Sequence, residues 1–406
     1  MKFSYLIRNI NYVLLMLTLL TSTDYFISFF AISSFIIANK IFKNQIYFVY
    51  HIFTSFILIR FAWIEYFPET FAYFIFTDIS EINLSRSILI VLIANFLYFL
   101  PFYKYTKNTI KTNYSKKQII IVIFIILSIF QYLILNQGRM GIDTVNYLKV
   151  IFPDFLILFL IFSIENRKLR LLYVIIFILI TTSYYSKAGI FKVVITFILF
   201  NTKSVLNLSF LKTVLYSSII VITISASYYA ISSLRLIEKN SVEFSSLDKL
   251  NSLILLEQIA SRLNVVDGYL GSKTLSTSQK KDILSVFSRN KNVSSGKLIA
   301  YHLADVPIYK VHASSIGIFG YLNIISENLF LILVFLFSLI MKTIEVVLCS
   351  LSKDLMLHRL VKYFIQLSLI YALIGGNLDR YFVITFYSIL VLLFCHFYLR
   401  TKLKND

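Results

Sequence analysis

The feature that most constrains this chain is its recurrent apolar runs, each close to the ~20 residues that an α-helix needs to cross the hydrocarbon core of a bilayer. Hydropathy places such runs at roughly 5–21, 25–38, 46–67, 84–102, 118–136, 149–165, 169–184, 188–201, 212–231, 316–341, 360–374 and 381–399. The first two are short enough to form one bent helix, and the seventh and eighth meet at Ser186-Lys187. Charged residues make up 15% of the chain, well below the quarter or so usual in a soluble domain. Alternating strand patterns are absent, which argues against an outer-membrane barrel. The expected class is an all-α polytopic membrane protein with about twelve transmembrane helices. The N-terminal run lacks a small-residue cleavage site, so it is expected to stay in place.

The connections set an orientation. Lys40 and Lys43 lie in one, and Lys104, Lys107, Lys111, Lys116 and Lys117 in the next on the same side. Arg167, Lys168 and Arg170 follow, then Lys203 and Lys212, then Lys342, Lys353 and Arg359, then Arg400, Lys402 and Lys404. Every second connection is basic, which assigns that side to the cytoplasm and both termini with it. The net charge of +19 is thereby largely a topology signal rather than a nucleic-acid footprint. The two cysteines, Cys349 and Cys395, fall near expected cytoplasmic helix ends and imply no disulfide framework.

One stretch breaks the apolar pattern. Residues 232–315 form a long polar loop, expected on the outer side, between an N-terminal helix bundle (1–231) and a C-terminal set (316–406). A structureless loop of that length is uncommon in a compact fold, and this one carries helix signals. Ser245 with Asp248 reads as a cap, followed by Leu247, Leu250, Ile254, Ile259, Leu263 and Val266 at helical spacing, with Gly268 as the expected stop. Ser276 with Gln279 repeats the capping signal ahead of Ile283, Leu284 and Phe287. A small, partly helical extracytoplasmic cap with a basic face is expected.

The chemistry on offer is cationic. There is no phosphate-binding glycine loop and no metalloprotease motif. His51, His302, His312, His358 and His396 are scattered, without zinc spacing. No Asp-x-Asp or Glu-x-Asp pair is present to clamp a metal on a sugar phosphate, so neither a metal nor another cofactor is expected. Isolated cations stand in the outer connections instead: Arg139 in Gln-Gly-Arg-Met-Gly, Lys187 in Tyr-Ser-Lys-Ala-Gly and Arg380 in Gly-Gly-Asn-Leu-Asp-Arg. Arg262 and Arg289 lie in the long loop, where Asp267 is a simple ion-pair candidate for Arg262. Arginine forks and lysine point charges suit phosphate. Tyr269, Tyr301 and Tyr309 in the same loop offer flat faces to sugar rings.

Three segments resemble the O-antigen polymerase and ligase superfamily, and more specifically its repeat-unit polymerases, called Wzy. Tyr185-Ser186-Lys187-Ala188-Gly189 resembles the family's Ser-Arg-x-Gly turn, with lysine at the arginine position. Ser261-Arg262 and the run to Gly268-Tyr269 resemble the arginine-bearing helix of the large outer loop. Val311-His312-Ala313-Ser314-Ser315-Ile316 resembles the His-Asn-x-x-Leu segment that closes that loop, with alanine in place of asparagine; Gly317, Gly320 and Glu327 follow. About a dozen helices with one large outer loop before the last three also match the family's architecture.

The resemblance implies a metal-independent membrane glycosyltransferase with a GT-C-like architecture, in the cytoplasmic (inner) membrane of a bacterium. Donor and acceptor would be undecaprenyl-pyrophosphate-linked glycans, and the product O-antigen or capsular polysaccharide. The resemblance assigns catalysis to Arg262, His312 and Lys187. Arg139, Arg289, Arg380 and Tyr269 are the expected substrate-binding residues. A flippase and a chain-length regulator are the implied protein partners. An O-antigen ligase, with a lipid-core acceptor, shares the same site, and a non-enzymatic flippase of lipid-linked oligosaccharide shares the helix number. A flippase calls for short outer loops and charges deep in its helices; here the basic loop is large, and charges within spans, such as Arg60 and Lys192, are few.

Overall fold

The computed structural model describes residues 3–68, 82–103, 154–164, 166–183, 187–209, 211–212, 215, 265–288, 295–305, 316–351, 355–374, 389–390 and 393. These residues form helices and no strand. In chain order the helices are α1 (Phe3–Thr21), α2 (Tyr25–Ile41), α3 (Asn44–Tyr66), α4 (Leu84–Phe99), α5 (Asp154–Ser163), α6 (Arg167–Ser183), α7 (Lys187–Leu206), α8 (Val265–Thr274), α9 (Thr277–Leu284), α10 (Ser295–Ala304), α11 (Gly317–Ile325), α12 (Phe330–Leu351) and α13 (Leu355–Ile374). A 3₁₀ turn, Leu100–Phe102, prolongs α4, and another, Ser285–Ser288, follows α9.

Five of these stretches are long and apolar enough to cross a bilayer: Phe3–Thr21, Gln45–Tyr66, Leu84–Phe102, Phe330–Leu351 and Leu357–Ile374. Large apolar side chains stand exposed along them and along α2, including Val13, Leu17, Leu20, Phe26, Phe29, Ile332 and Ile340. Apolar surface on that scale requires a nonaqueous partner. The helices thus define an α-helical membrane protein. The expected spans 118–136 and, in all but isolated residues, 212–231 and 381–399 lie outside the described residues.

Local chemistry explains where helices start. The α1–α2 pair is not one bent helix: Asp24 caps α2, its carboxylate accepting from the Ile27 N–H at 3.1 Å. Asn83 caps α4 in the same way through the Arg86 N–H, at 2.9 Å. The expected single span 316–341 is also divided. Helix α11 ends at Ile325, and the Ser326 hydroxyl accepts from the Leu329 N–H at 3.3 Å just ahead of α12. The Glu327 carbonyl adds a second bond across the break, accepting from the Phe330 N–H at 3.4 Å.

The chain divides into two compact units. The first takes in Met1–Thr106, Glu257–Ile344 and Ser368–Val383, the second Lys107–Leu256, Glu345–Leu367 and Ile384–Asp406. In the first unit α3 packs on α1 and α4, and α4 on α2. Ala38, Ile57, Leu89 and Ala94 are fully buried there. Polar side chains cross-link these helices where no water competes: Asn95 donates to the Thr54 hydroxyl at 3.1 Å, and the Tyr98 hydroxyl to the Leu369 carbonyl at 2.9 Å. In the second unit Ile157, Leu158 and Ile161 of α5 share a core with Phe177 and Ile180 of α6 and Val193 of α7. Thr196 and Tyr363 share a hydroxyl–hydroxyl hydrogen bond of 2.6 Å within it.

Candidate anion-binding site

Within the first unit, helices α8, α9, α10 and α11 build a small cap, and its keystone is the α8–α11 pair. Every residue of α8 from Val265 to Ser272 is buried, as is every residue of α11 from Gly317 to Ile324. Gly268 does not stop the helix as the sequence suggests; α8 runs through it to Thr274. The glycine serves packing instead. A Cβ at Gly268 would stand 2.0 Å from the Ile316 carbonyl oxygen, and one at Gly320 2.6 Å from the Gly268 carbonyl oxygen. Only hydrogens at both positions allow the backbones this close. Asn323 then donates to the Ser272 hydroxyl at 2.8 Å, and Ser295 at the start of α10 bonds the Tyr321 hydroxyl at 2.7 Å.

A buried ion pair fastens the cap to the membrane helices. Arg60 of α3 donates from Nε to Asp267 Oδ2 at 2.9 Å and from Nη2 to Asp267 Oδ1 at 2.7 Å. The carboxylate of Asp267, a candidate partner of Arg262 by sequence, is thus engaged by a charge from inside a span. Both side chains are shielded from solvent, 7% and 0% exposed, so the fork–fork geometry works at low dielectric.

The capping box expected at Ser276 and Gln279 is present in full. The Ser276 hydroxyl accepts from the Gln279 N–H at 3.3 Å, and the Gln279 side chain accepts from the Ser276 N–H at 2.8 Å. By fixing the start of α9, the box fixes the side chains that follow. Ile283 turns into the core. Asp282 meets His302 of α10 at 2.8 Å through Nε2. Lys280 reaches Glu327, in the break between α11 and α12.

Cations gather at that break. Lys273 Nζ lies 3.8 Å from Glu327 Oε1 and Lys280 Nζ 3.6 Å from Oε2. Both lysine side chains are mostly buried, while the carboxylate they share is half exposed. Lys273 also sits over the Tyr269 ring, 5.4 Å from its centroid. Burial lowers the Lys273 pKa from its ordinary value; Glu327 opposes that shift, and the nearby charges of Arg86 and Lys280 add to it. Arg86, on the first turn of α4, stands largely exposed 3.5 Å from Asp24. Two lysines thus share one half-exposed carboxylate, with the charge of Arg86 felt at Lys273, an excess of positive charge suited to a multivalent anion.

The expected site residues divide as follows. Arg139, Arg262, Arg289, His312 and Arg380 lie outside the described residues. Lys187 is the first residue of α7. Tyr269 departs from expectation. It is 2% exposed, its ring tilted against Phe330 at 5.0 Å, so its faces are taken by protein rather than offered to a sugar. Burial raises its pKa, and the Glu327 charge adds to the effect.

Sequence reading passed over Lys273, Lys280, Arg86, the His302–Asp282 pair and helix α10. The capping box was the one signal that places Lys280, because it sets which side of α9 each residue occupies. Among the described residues no group of three or more His, Cys, Asp or Glu side chains is arranged to hold a metal ion. No protein-family model matches the chain, and neither does a curated protein or a solved structure.

Proposed function

We propose that this membrane protein is a repeat-unit polymerase of the Wzy kind, a metal-independent glycosyltransferase of GT-C-like architecture with about twelve spans. In this reading its donor and acceptor are undecaprenyl-pyrophosphate-linked oligosaccharides at the outer face of a bacterial cytoplasmic membrane, and its product is O-antigen or capsular polysaccharide. The observation that carries the reading is the cationic break: Lys273 and Lys280, both on the loop whose sequence resembles the polymerases' outer loop, converge on Glu327.

In the reaction a hydroxyl of the incoming unit attacks the anomeric carbon of the growing chain. The bond from that carbon to the pyrophosphate oxygen breaks, and a glycosidic C–O bond forms. Undecaprenyl pyrophosphate departs with the electron pair. Fixed cations stabilise its charge, the role assigned to Arg262 and Lys187; Lys273 and Lys280 are further cations of the outer loop fit for that role. The acceptor proton passes to a base. His312 is one candidate. His302 is another, since Asp282 orients its Nε2 and Nδ1 has no hydrogen-bond partner among the described residues.

The test is reconstitution of the purified full chain with lipid-linked repeat units in excess chelator. Long glycan should form, and the Lys273→Gln/Lys280→Gln double variant should slow it by on the order of a hundredfold, the scale seen when charge-stabilising donors are lost. Polymer that appears only after magnesium or manganese is restored overturns the cationic mechanism. Movement of the lipid-linked unit across the bilayer without polymer assigns the chain to transport instead.

A further inference from the structure

Away from the cap, where α1 and α3 begin, two buried hydrogen-bond donors lack acceptors. Asn11 supplies the first part of the argument. Its Oδ1 accepts from the Ser55 hydroxyl at 2.7 Å, so its Nδ2 is the donor that reaches the His51 carbonyl at 2.9 Å and His51 Nδ1 at 3.3 Å. His51 Nδ1 is therefore an acceptor, and the ring proton of the neutral imidazole lies on Nε2. His51 is fully buried, and Nε2 has no partner. One turn before Asn11, Arg8 is in the same position: its Nε is sealed from solvent without a partner. Arg8 makes no ion pair or hydrogen bond with any described residue. It rests against the Tyr5 ring at 5.1 Å.

These donors share one place. Arg8 and Asn11 lie three residues apart on α1, and Tyr47 and His51 four apart on α3, so each pair shares a helix face. The Tyr47 and His51 rings touch, centroids 4.2 Å apart, and the Arg8 charge acts on both. A buried donor without an acceptor is costly and rare. Two orphan donors side by side, one of them charged, call for an acceptor that carries negative charge.

No acid of the neighbouring helices supplies it. Between Met1 and Ile64 the one acidic residue is Asp24, at the opposite end of α2, while exposed Lys40 and Lys43 stand at the same end as Arg8. Arg8 lies five residues into α1, roughly 8 Å along the axis from Phe3 at 1.5 Å per residue. Just beyond it α1 exposes Ile10, Val13 and Leu17. Tyrosines at Tyr5, Tyr12 and Tyr47 mark the depth at which aromatic residues meet lipid headgroups.

We infer that Arg8 and His51 form a binding site for the phosphate of an anionic phospholipid, whose phosphate oxygens accept from Arg8 Nε and His51 Nε2 while its acyl chains lie along the exposed face of α1. By the orientation of the basic connections, this is the inner leaflet, where anionic lipid and cationic side chains meet. The site is independent of the glycan chemistry proposed above.

Native mass spectrometry of the full chain in detergent, titrated with phosphatidylglycerol or phosphatidylcholine, tests the inference. The wild type should retain phosphatidylglycerol in preference to phosphatidylcholine. Arg8→Gln should lower that retention by about tenfold or more, the effect of losing a hydrogen bond to a charged group. Arg8→Lys, which keeps the charge but loses Nε, should fall between. A parallel thermal-shift measurement on the wild type needs no variant: phosphatidylglycerol should raise the melting temperature, and inorganic phosphate at the same concentration should not. Equal retention by Arg8→Gln and wild type overturns the inference. So does equal stabilisation by inorganic phosphate, which would make this a site for the free ion. Absence of any preference for phosphatidylglycerol also overturns it, leaving a buried water as the acceptor.

Discussion

Severing the Arg60–Asp267 pair on one side, by Arg60→Met or Asp267→Leu, should loosen the cap, and the structure sets the scale. The pair is bidentate at 2.9 and 2.7 Å with almost no solvent access, so the discount that applies to surface ion pairs does not apply. Removing one partner strands a buried charge and costs about 3–5 kcal/mol. At about 1.4 kcal/mol per tenfold, that is roughly two to nearly four powers of ten in the population of opened cap. The double variant strands no charge and should recover most of the loss. A cysteine at Ala300, 1% exposed in α10, in a background without Cys349 and Cys395, reports opening through its rate of thiol modification under native conditions. Each single variant should accelerate labelling by at least about a hundredfold, limited above by the cap's own stability, and the double variant should lie far below the sum of the singles. Acceleration under tenfold in both singles, or a double variant as fast as that sum, refutes the reasoning.

Other outcomes follow from the same structure. Gly268→Ala should lower the melting temperature measured by size exclusion after heating, because its Cβ would meet the Ile316 carbonyl at 2.0 Å and backbone must move; an unchanged midpoint would show that α8 and α11 are not in close contact. Lys273 has a lowered pKa when folded, so between that value and the ordinary 10.5 the unfolded chain binds more protons, and stability from this group rises with pH. The melting temperature of wild type relative to Lys273→Met should therefore climb as pH rises toward 10.5, and a flat or falling difference refutes the burial argument. For the proposed polymerase reaction, Arg262→Ala and His312→Ala should insert normally yet each slow polymer formation roughly a thousandfold, with Lys187→Arg active and Lys187→Ala not; normal polymer length from Arg262→Ala and His312→Ala removes them from the proposed mechanism. Cysteine at the exposed Ser278 should react with an impermeant thiol reagent in intact cells, and labelling only after lysis would reverse the orientation.

Sequence reading succeeded where the determinant is local. Apolar run length located α1, α3 and α4 within a few residues, and the Ser276–Gln279 box located α9, because both signals lie within one or two helical turns. It failed where the determinant is a distant neighbour. Gly268 reads as a helix stop in isolation; its partner is the Ile316 carbonyl, and only the packed pair shows why the helix continues. Arg60 stood out as a charge within a span, but nothing near it in the chain names Asp267. The 316–341 run hid a break because Ser326 and its two polar neighbours barely dilute the apolar average. The lysine cluster was missed for a similar reason: Lys273, Lys280 and Glu327 come from three elements, and lysines are too common in the loop for any pair to attract notice.

The separation of Arg60 and Asp267 along the chain, 207 residues, has a temporal meaning. At a synthesis rate of about 5–20 residues per second, roughly 10–40 seconds pass between the emergence of the arginine and that of its carboxylate. During that interval α3 is already in the membrane with an unmatched guanidinium near its end, held by water and headgroups at the interface. Completion of the pair is therefore a late event in biogenesis. Until it occurs the cap lacks the buried ion pair that ties it to α3.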